Sequence, residues 1–345
     1  MSTTIKDVAK VAGVHFATVS RALRGDPRIS TATLARVRAA ATNLRYERAP
    51  ECLALSARRA PQSVRLPAER IALVCNRSPE NGYGRFVHYR LIERGVRTHA
   101  AELGYECELL HVDRGHHDKR TLRRFLAGAG IRGIIFMNPE VERRQIDLPW
   151  ENFSAVKIDG ERILPGFTSL SVDQFGTTML AFRRMQALGY RRIGLAVSGD
   201  GELTSGRLST AASLLAQTEL AEAEQVRPFY FPERVPNETV SRLIGPWLER
   251  ERVDAVISHR TQVRTYAHRR ACATTCMHTA VPGLAGVMVD FRQVGRQAVA
   301  LLVSQLQSGQ FGVPATATRT YFRGVWRDGA SAPLRAVPTE RRFET

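Results

Sequence analysis

The side chains with the clearest chemistry lie near the start of the sequence, in a run typical of a helix that reads DNA. The run is Phe16-Ala17-Thr18-Val19-Ser20-Arg21. On a helix in the major groove, Arg21 can pair with both acceptors of a guanine, and Ala17 can pack on a thymine methyl. The hydroxyls of Thr18 and Ser20 suit phosphate oxygens or base edges. A small amphipathic helix with solvated cations is the alternative interpretation.

Charge at the same end of the chain favours a polyanionic partner. The sequence carries 50 Lys and Arg against 33 Asp and Glu, a net charge of +17. Residues 1–60 hold 11 of the cations and 4 of the acids, so the net positive charge per residue is about three times that of the remaining chain. Arg24 and Arg28, in or just after the candidate reading helix, suit phosphates.

Three short helices are predicted to position these side chains. Apolar residues recur on one face from Ile5 to Ala12, and Gly13 can adopt the left-handed conformation that ends a helix. A second helix fits Phe16–Leu23, and Ser30 caps a third. Three short helices with a tight glycine turn between the first two are typical of a helix-turn-helix.

The rest of the chain is predicted to be α/β with parallel sheets, because strand-like runs alternate with helical segments. The predicted strands are Ile71–Cys75, Glu106–Val112, Gly133–Met137, Ala155–Ile158, Ile193–Val197 and Ala255–Ser258. The predicted helices are Phe86–Leu103, Lys119–Ala127, Phe175–Leu188, Gly206–Gln217, Glu238–Arg250 and Phe291–Gln307. Parallel sheets of this kind bind ligands at the carboxyl ends of their strands.

No pattern in the sequence calls for catalysis, a cofactor or a metal. Gly199-Asp200-Gly201 lacks the spacing of a dinucleotide fingerprint, and neither a phosphate loop nor a Gly-x-Ser-x-Gly elbow occurs. His268, Cys272, Cys276 and His278 have spacings that zinc could use. A polar or helical surface with reduced cysteines is the preferred interpretation of those four residues.

We expect a cytoplasmic protein that does not enter a membrane. The densest apolar run, Ala298–Val303, is far shorter than the roughly 20 residues that a spanning helix needs. The five cysteines of a chain that opens without an apolar leader indicate reduced thiols.

Three N-terminal motifs match a known family in order and spacing. They are Thr4-Ile5-Lys6-Asp7-Val8-Ala9, Ala12-Gly13-Val14 and Ala17-Thr18-Val19-Ser20-Arg21-Ala22-Leu23. Together they closely resemble the start of the LacI/GalR family of bacterial transcription regulators. A looser likeness continues through Val172-Asp173 and Gly206-Arg207-Leu208. The resemblance implies a dimer that binds operator DNA, a hinge helix in the minor groove, and an effector domain shaped like a periplasmic sugar-binding protein.

The resemblance also implies an organisation of the chain. A DNA-binding domain covers residues 1–59, with the helix-turn-helix at about 4–46 and the hinge at about 47–59. A proline-containing linker covers residues 60–69. An effector-binding and dimerisation domain of two lobes follows at 70–332, and a polar, frayed tail at 333–345.

Motif and resemblance together give the expected DNA-binding residues. They are Thr4, His15, Phe16, Ala17, Thr18, Ser20, Arg21, Arg24, Arg28, Ser30, Tyr46 and Leu55. His15 stands where the family usually has a serine that caps the reading helix, so its cap is weaker or made differently; His15 reaches DNA or is simply solvated. Leu55 occupies the position of the leucine that family members wedge between base pairs, with dimer packing as its alternative.

The effector that the resemblance leads us to expect is a small polar metabolite of the sugar class. Its predicted contacts are Asn76, Ser78, Asp173 and Arg207. Arg207 has the fork geometry that binds hydroxyl, carboxylate or phosphate, or else forms an ion pair between lobes, and Asp173 could equally cap the following helix. The segment between Ser258 and Asp290 departs from the family: it begins His259-Arg260 where Asn-Asp is common, it is only about thirty residues long, and no ligand-gripping aspartate can be placed in it. Either the pocket is built differently, or part of the usual domain has been lost.

Two other classes of protein are the alternatives to a dimeric, ligand-responsive DNA-binding regulator that represses transcription. An α/β enzyme with a basic appendage would need an acid, base or nucleophile set, and the sequence offers none. A solute-binding protein would share the α/β fold but would lack the N-terminal helices.

Overall fold

The structure, a computed structural model, divides into two compact units, Met1–Pro67 and Ala68–Thr345. It describes residues 5–23, 29–44, 69–75, 83, 87–112, 119–137, 148–159, 166–232, 236–261, 263, 267, 273–277, 281 and 283–335. None of the helices in those ranges combines the length and apolarity needed to cross a membrane.

The first unit contains three helices around a small apolar core. They are α1 (Ile5–Ala12), α2 (Phe16–Ala22) and α3 (Thr31–Asn43). Gly13 has φ of +63°, and Val14 N–H donates to the carbonyl of Ala9, so the chain turns sharply out of α1. The buried side chains of the core come from all three helices: Val8, Ala9, Ala12, Val19, Ala22, Val37 and Ala40. The predicted helix-turn-helix is confirmed.

The second unit is built on two six-stranded sheets. Sheet A has the order β11-β5-β4-β3-β1-β2, and all its strands are parallel. Its strands are β1 (Glu69–Cys75), β2 (Tyr105–His111), β3 (Gly133–Met137), β4 (Ser154–Ile158), β5 (Thr168–Val172) and β11 (Arg319–Phe322).

Sheet B has the order β12-β10-β9-β8-β6-β7, and only the pairing of β10 with β12 is antiparallel. Its strands are β6 (Ile193–Ser198), β7 (Phe229–Phe231), β8 (Ala255–Ser258), β9 (Ala273–Met277), β10 (Gly286–Met288) and β12 (Val325–Arg327). The chain leaves sheet A after β5, returns to it for β11, and ends in sheet B with β12, so three segments connect the lobes.

Helices cover both faces of each sheet, which confirms the predicted α/β architecture. The helices are α4 (Val87–Glu102), α5 (Lys119–Gly128), α6 (Gln174–Ala187), α7 (Gly199–Thr204), α8 (Leu208–Thr218), α9 (Asn237–Arg250) and α10 (Phe291–Gln307). Helices α4 and α10 share one apolar core on sheet A, and α5 covers the other face. Helices α6 and α8 pack on one face of sheet B, and α9 on the other.

Helices α4 and α10 approach each other through a reciprocal pair of glycines. A side chain on Gly95 would strike the carbonyl of Arg292, and one on Gly295 would strike the carbonyl of Ile92. Both glycines have ordinary helical φ, so it is the close backbone approach that requires them.

The segment between β8 and α10 retains two strands of sheet B. Strand β9 pairs with β8 on one side and with β10 on the other, so sheet B continues without a gap through this segment. The expectation of a polar or helical surface is wrong at Cys276, which lies in the strand β9, whose residues 273–275 are buried. The threonines of this strand favour a polar surface in a sequence-based prediction. In the structure the hydroxyl of Thr275 is buried, and it donates a hydrogen bond to the carbonyl of Ala285.

Residues 333–335 pack against the second unit, although the sequence suggested a frayed tail there. The Tyr190 hydroxyl donates to the carbonyl of Pro333, and the backbone N–H of Arg335 donates to the carbonyl of Leu188. The guanidinium of Arg335 pairs with Asp254 at 2.8 Å. Residues 336–345 lie outside the described ranges.

Candidate functional site

Helix α2 presents one face to solvent while the other anchors it in the first unit. Val19 and Ala22 are buried in the three-helix core. Phe16 is 47 % exposed, and Arg21 is exposed in the last turn. Ala17, Thr18 and Ser20 are half-buried. The five predicted contact residues of α2 therefore lie on a helix whose orientation is fixed by packing.

His15 caps α2 with its imidazole. Nδ1 accepts a hydrogen bond from the backbone N–H of Ala17 at 3.3 Å, and the ring lies against that of Phe16, with centroids 4.3 Å apart. The cap is therefore made differently from a serine cap, as expected, and it needs an unprotonated Nδ1. Ser30 caps α3, because its hydroxyl oxygen accepts from the N–H of Thr33.

Helix α3 carries two exposed cations that the sequence analysis did not single out, Arg36 and Arg38. Lys10 on α1 is exposed as well. Among the described residues of this unit only Asp7 is acidic, so its described surface is strongly positive. Arg36 and Arg38 could have been identified from the sequence by their charge and their position on the outer face of the predicted third helix.

Seven of the predicted site residues lie outside the described ranges, and their roles stay predictions. They are Thr4, Arg24, Arg28, Tyr46, Leu55, Asn76 and Ser78.

Asp173, at the carboxyl end of β5, is a helix cap in this structure. Its carboxylate accepts from the N–H of Gly176 at 2.8 Å, at the start of α6. A side chain on Gly176 would collide with that carboxylate. The structure thus gives Asp173 the alternative role that the sequence left open, and contact with an effector stays a prediction.

Arg207 stands exposed in a left-handed conformation directly before α8. Its φ is +62°, a region that a non-glycine residue rarely occupies without a reason elsewhere in the fold. No described residue pairs with its guanidinium, so the ion pair between lobes is not seen within the described ranges.

A buried network holds the loop that carries Arg207. Glu202 is 4 % exposed, and one carboxylate oxygen accepts from both the backbone N–H and the hydroxyl of Thr210, at 2.8 and 2.6 Å. The Thr210 oxygen lies 3.0 Å from the hydroxyl of Tyr230 on β7. Glu202 therefore caps α8 in place of Arg207, which has no capping side chain.

Asp159 is a polar residue at a strand end that the sequence analysis did not assign to the site. It follows β4 with φ of +59° and is half-buried. Burial raises the pKa of its carboxyl to about 6, against the opposing effect of hydrogen bonds from Ser171 and the backbone of Val172. Its place directly after a buried strand, at the ligand-binding edge of a parallel sheet, is the signal that was missed.

The carboxyl end of β8 leads into His259 and Arg260. The Ser258 hydroxyl accepts from the N–H of Arg260, and the Arg260 guanidinium lies 5.2 Å from the ring centre of Phe231. The ring of His259 lies 5.7 Å from the same phenyl group. Both side chains therefore gather at the end of β7.

Within the described ranges no group of three or more His, Cys, Asp or Glu side chains could hold a metal ion. Cys276 lies in β9, whereas His268, Cys272 and His278 lie outside those ranges.

A family model described as bacterial regulatory proteins, lacI family, matches residues 4–49. The regulator MalR of Streptomyces coelicolor is 26 % identical over 205 residues, which are 57 % of this chain and 54 % of that protein. An HTH-type transcriptional regulator from the aml 5′ region of Streptomyces limosus is 30 % identical over 233 residues, 64 % of this chain and 61 % of that protein. The alignments thus span somewhat more than half the length of these relatives.

Solved structures share the fold of the whole chain. A CelR–cellobiose complex has a TM-score of 0.57 at 21 % identity, covering 94 % of this chain and 98 % of that one. A lac repressor dimer bound to operator has a TM-score of 0.56 at 18 % identity, covering 96 % of this chain and 100 % of that one. At these identities the likeness establishes the architecture.

The family match falls on the three-helix unit, and the relatives are named as transcriptional regulators, not as enzymes. The second unit has the two-lobed α/β fold of the solved regulators. Residues 4–49 of this chain are therefore similar to the N-terminal domain of the lacI family of bacterial regulatory proteins.

Proposed function

We propose that the protein is a cytoplasmic transcriptional regulator, a repressor, that binds operator DNA as a homodimer and is controlled by a small effector of the sugar class. The observation that carries the proposal is α2: a helix locked into a three-helix core, with Phe16 and Arg21 exposed on its outer face. The DNA-binding residues predicted from the sequence are its proposed contacts.

Charge on the first unit supports a DNA partner. Lys10 on α1 and Arg36 and Arg38 on α3 are exposed, and phosphate neutralisation by such cations releases counterions and drives association. A dimer would place two reading helices on two half-sites of an inverted repeat. The lac repressor structure is a dimer bound to operator, which agrees with this assembly.

An effector is proposed for the carboxyl edges of the two sheets. Arg207 and Asp159 lie at these edges, and the likeness to a cellobiose complex favours a carbohydrate. Asp173, Asn76 and Ser78 remain proposed contacts. Binding there would alter operator affinity by linkage, and DNA would alter effector affinity by the same factor.

A mobility-shift assay with the full chain tests the proposal. The probes are fragments of the DNA upstream of the protein's own coding sequence, competed with unlabelled fragments of equal length and base composition. We expect one fragment to be retained at competitor excesses that remove the others. Equal competition by every fragment would contradict a sequence-specific regulator.

A further inference from the structure

We propose that His15 positions α2 for reading DNA, and that only its neutral imidazole does so. The ability of the protein to distinguish one DNA sequence from another then falls as the pH is lowered through the range in which imidazoles become protonated. The inference rests on the proposed function, because it concerns the helix that carries the proposed base contacts.

His15 accepts three backbone hydrogen bonds at the start of α2. Its imidazole Nδ1 accepts from the N–H of Ala17 at 3.3 Å, and its carbonyl accepts from the N–H groups of Thr18 at 2.8 Å and Val19 at 3.2 Å. The first N–H groups of a helix have no partner inside the helix, so an acceptor at this position stabilises the first turn. Because α2 has seven residues, that turn is about half of the helix.

The imidazole also contacts the side chain of Phe16, one of the proposed DNA contacts. The centroids of the two rings are 4.3 Å apart, with an angle of 41° between the ring planes. Phe16 is 47 % exposed, so few other groups restrain it. A change at His15 therefore affects both the backbone of the first turn and an exposed side chain of α2.

Protonation of His15 abolishes the cap. Nδ1 can accept the bond from Ala17 only while it carries no proton, because a protonated imidazole has two donors and no acceptor. The added positive charge would also lie at the positive end of the helix dipole. The first turn of α2 contains no acidic residue that could offset this charge. Ser30, by contrast, caps α3 with a hydroxyl oxygen that accepts at any pH in this range.

No charged side chain of the neighbouring helices contacts the imidazole. Within the described ranges the ring meets only the N–H of Ala17 and the ring of Phe16. Helices α1 and α3 share the core of the first unit with α2. The charged side chains described on these three helices are Asp7, Lys10, Arg21, Arg36 and Arg38. The bond to Ala17 is therefore the interaction that distinguishes the neutral from the protonated imidazole.

Protonation should lower sequence discrimination even where it raises affinity. A more positive first unit is attracted more strongly to any phosphate backbone, whatever the base sequence. Base readout instead needs the first turn of α2 in its capped position, because Ala17 and Thr18 are held there by their bonds to His15. The ratio of affinities for preferred and scrambled DNA separates the two effects, since attraction to phosphate is common to both duplexes.

The test measures this ratio with the full chain from pH 8 to pH 5.5 at constant ionic strength, by fluorescence anisotropy. The duplexes are the fragment retained in the mobility-shift assay and a scrambled duplex of the same length and composition. We expect the ratio for the parent protein to fall about three- to tenfold on acidification, in line with the contribution of a helix cap.

Variants assign the fall to His15. His15→Ser and His15→Asn supply caps that do not titrate, so their ratios should change by less than about twofold over the same range. His15→Ala has no cap, and its ratio should be low at both ends of the range. His99→Gln, which removes a histidine from α4 in the second unit, is the matched control and should keep the parent profile.

Asp159 titrates in the same range, because its pKa is raised to about 6 by burial. It is present in the parent and in every variant, so it cannot cause a difference between them.

Hydrogen exchange of the free protein tests the cap without DNA. Exchange of the peptide that covers α2 is followed at pH 8 and pH 5.5 and corrected for the intrinsic effect of pH on exchange. The peptide should be less protected at pH 5.5 than at pH 8 in the parent protein, and equally protected at both in His15→Ser.

The proposal is overturned if the affinity ratio of the parent protein does not fall in acid, or if that of His15→Ser falls as much. A ratio that rises in acid would make the protonated imidazole the form that reads DNA. If the two duplexes bind equally at every pH, the proposed function fails instead, and hydrogen exchange decides on the cap: equal protection of α2 at both pH values in the parent overturns it.

Discussion

Arg21 is the side chain of α2 on which sequence discrimination should depend most. It is exposed in the last turn, beside the buried anchor Ala22, so its guanidinium projects from a fixed helix. Replacement by alanine should remove a bidentate base contact while leaving the packing of α2 intact.

We therefore expect Arg21→Ala to weaken binding to the preferred site by about 1–3 kcal/mol and to affect scrambled DNA far less. Fluorescence anisotropy with both duplexes at one salt concentration measures the difference. Arg38→Ala, an exposed cation on α3, is the control and should act equally on both duplexes. If Arg21→Ala weakens binding to the two duplexes equally, Arg21 contacts phosphate and not a base.

Asp159 makes stability depend on pH. Its pKa is raised to about 6 in the folded protein, from an ordinary value near 4. Between those values the unfolded chain has released a proton that the folded chain still holds, so the free energy of unfolding falls as pH rises. Above about pH 6 the charged carboxyl destabilises the fold by up to about 3 kcal/mol.

Asp159→Asn should remove that penalty while keeping a side chain that tolerates positive φ and accepts the hydrogen bonds from Ser171 and Val172. The variant should be more stable than the parent at pH 7.5 and nearly equal at pH 4. Urea unfolding followed by fluorescence checks this, because all three tryptophans lie in the second unit. A difference that does not change with pH would contradict the assignment.

The crossing of α4 and α10 depends on the missing side chains of Gly95 and Gly295. A methyl group on Gly95 would meet backbone, which cannot move aside as a side chain can. We expect Gly95→Ala to destabilise the second unit by about 1–3 kcal/mol in urea. Gly128→Ala, at the end of α5 with nothing near the added carbon, should be neutral or slightly stabilising. Equal effects of the two changes would refute the close-approach interpretation.

Helices were easier to predict than strands because their apolar faces repeat over several turns. The helix Phe291–Gln307 and the strand Gly133–Met137 were predicted to the residue. Six strands were missed: β5, β7, β9, β10, β11 and β12. These strands are short, and polar or charged residues such as Ser169, Thr274 and Arg319 interrupt the apolar pattern that predicts a strand. They are strands because they pair with neighbouring strands in the tertiary structure, not because of their local sequence pattern.

At the candidate sites, too, contacts between residues close in sequence could be predicted, whereas contacts between distant elements could not. The cap by Ser30 follows from local spacing and is confirmed. The network of Glu202, Thr210 and Tyr230 joins three elements and could not be seen in the sequence. Asp173 was predicted with two roles, and only the three-dimensional structure identifies its partner, Gly176.

This chain should form a dimer if the proposed operator geometry is right. One three-helix unit contacts too few bases to select a site alone, and two-fold dimers are the commonest soluble oligomers. We expect sedimentation equilibrium of the full chain at micromolar concentration to give twice the mass of 38.4 kDa. A strict monomer, both free and with DNA, would contradict the dimer.

Selection of bound sequences from a pool of random duplex DNA tests the central claim most directly. The full chain is used at about 150 mM salt, so that non-specific phosphate contacts are weakened. We predict enrichment of one inverted repeat, with half-sites that match two copies of α2 related by a two-fold axis, and loss of that enrichment in Arg21→Ala. Recovery of a pool no different from the starting DNA would contradict a sequence-specific regulator.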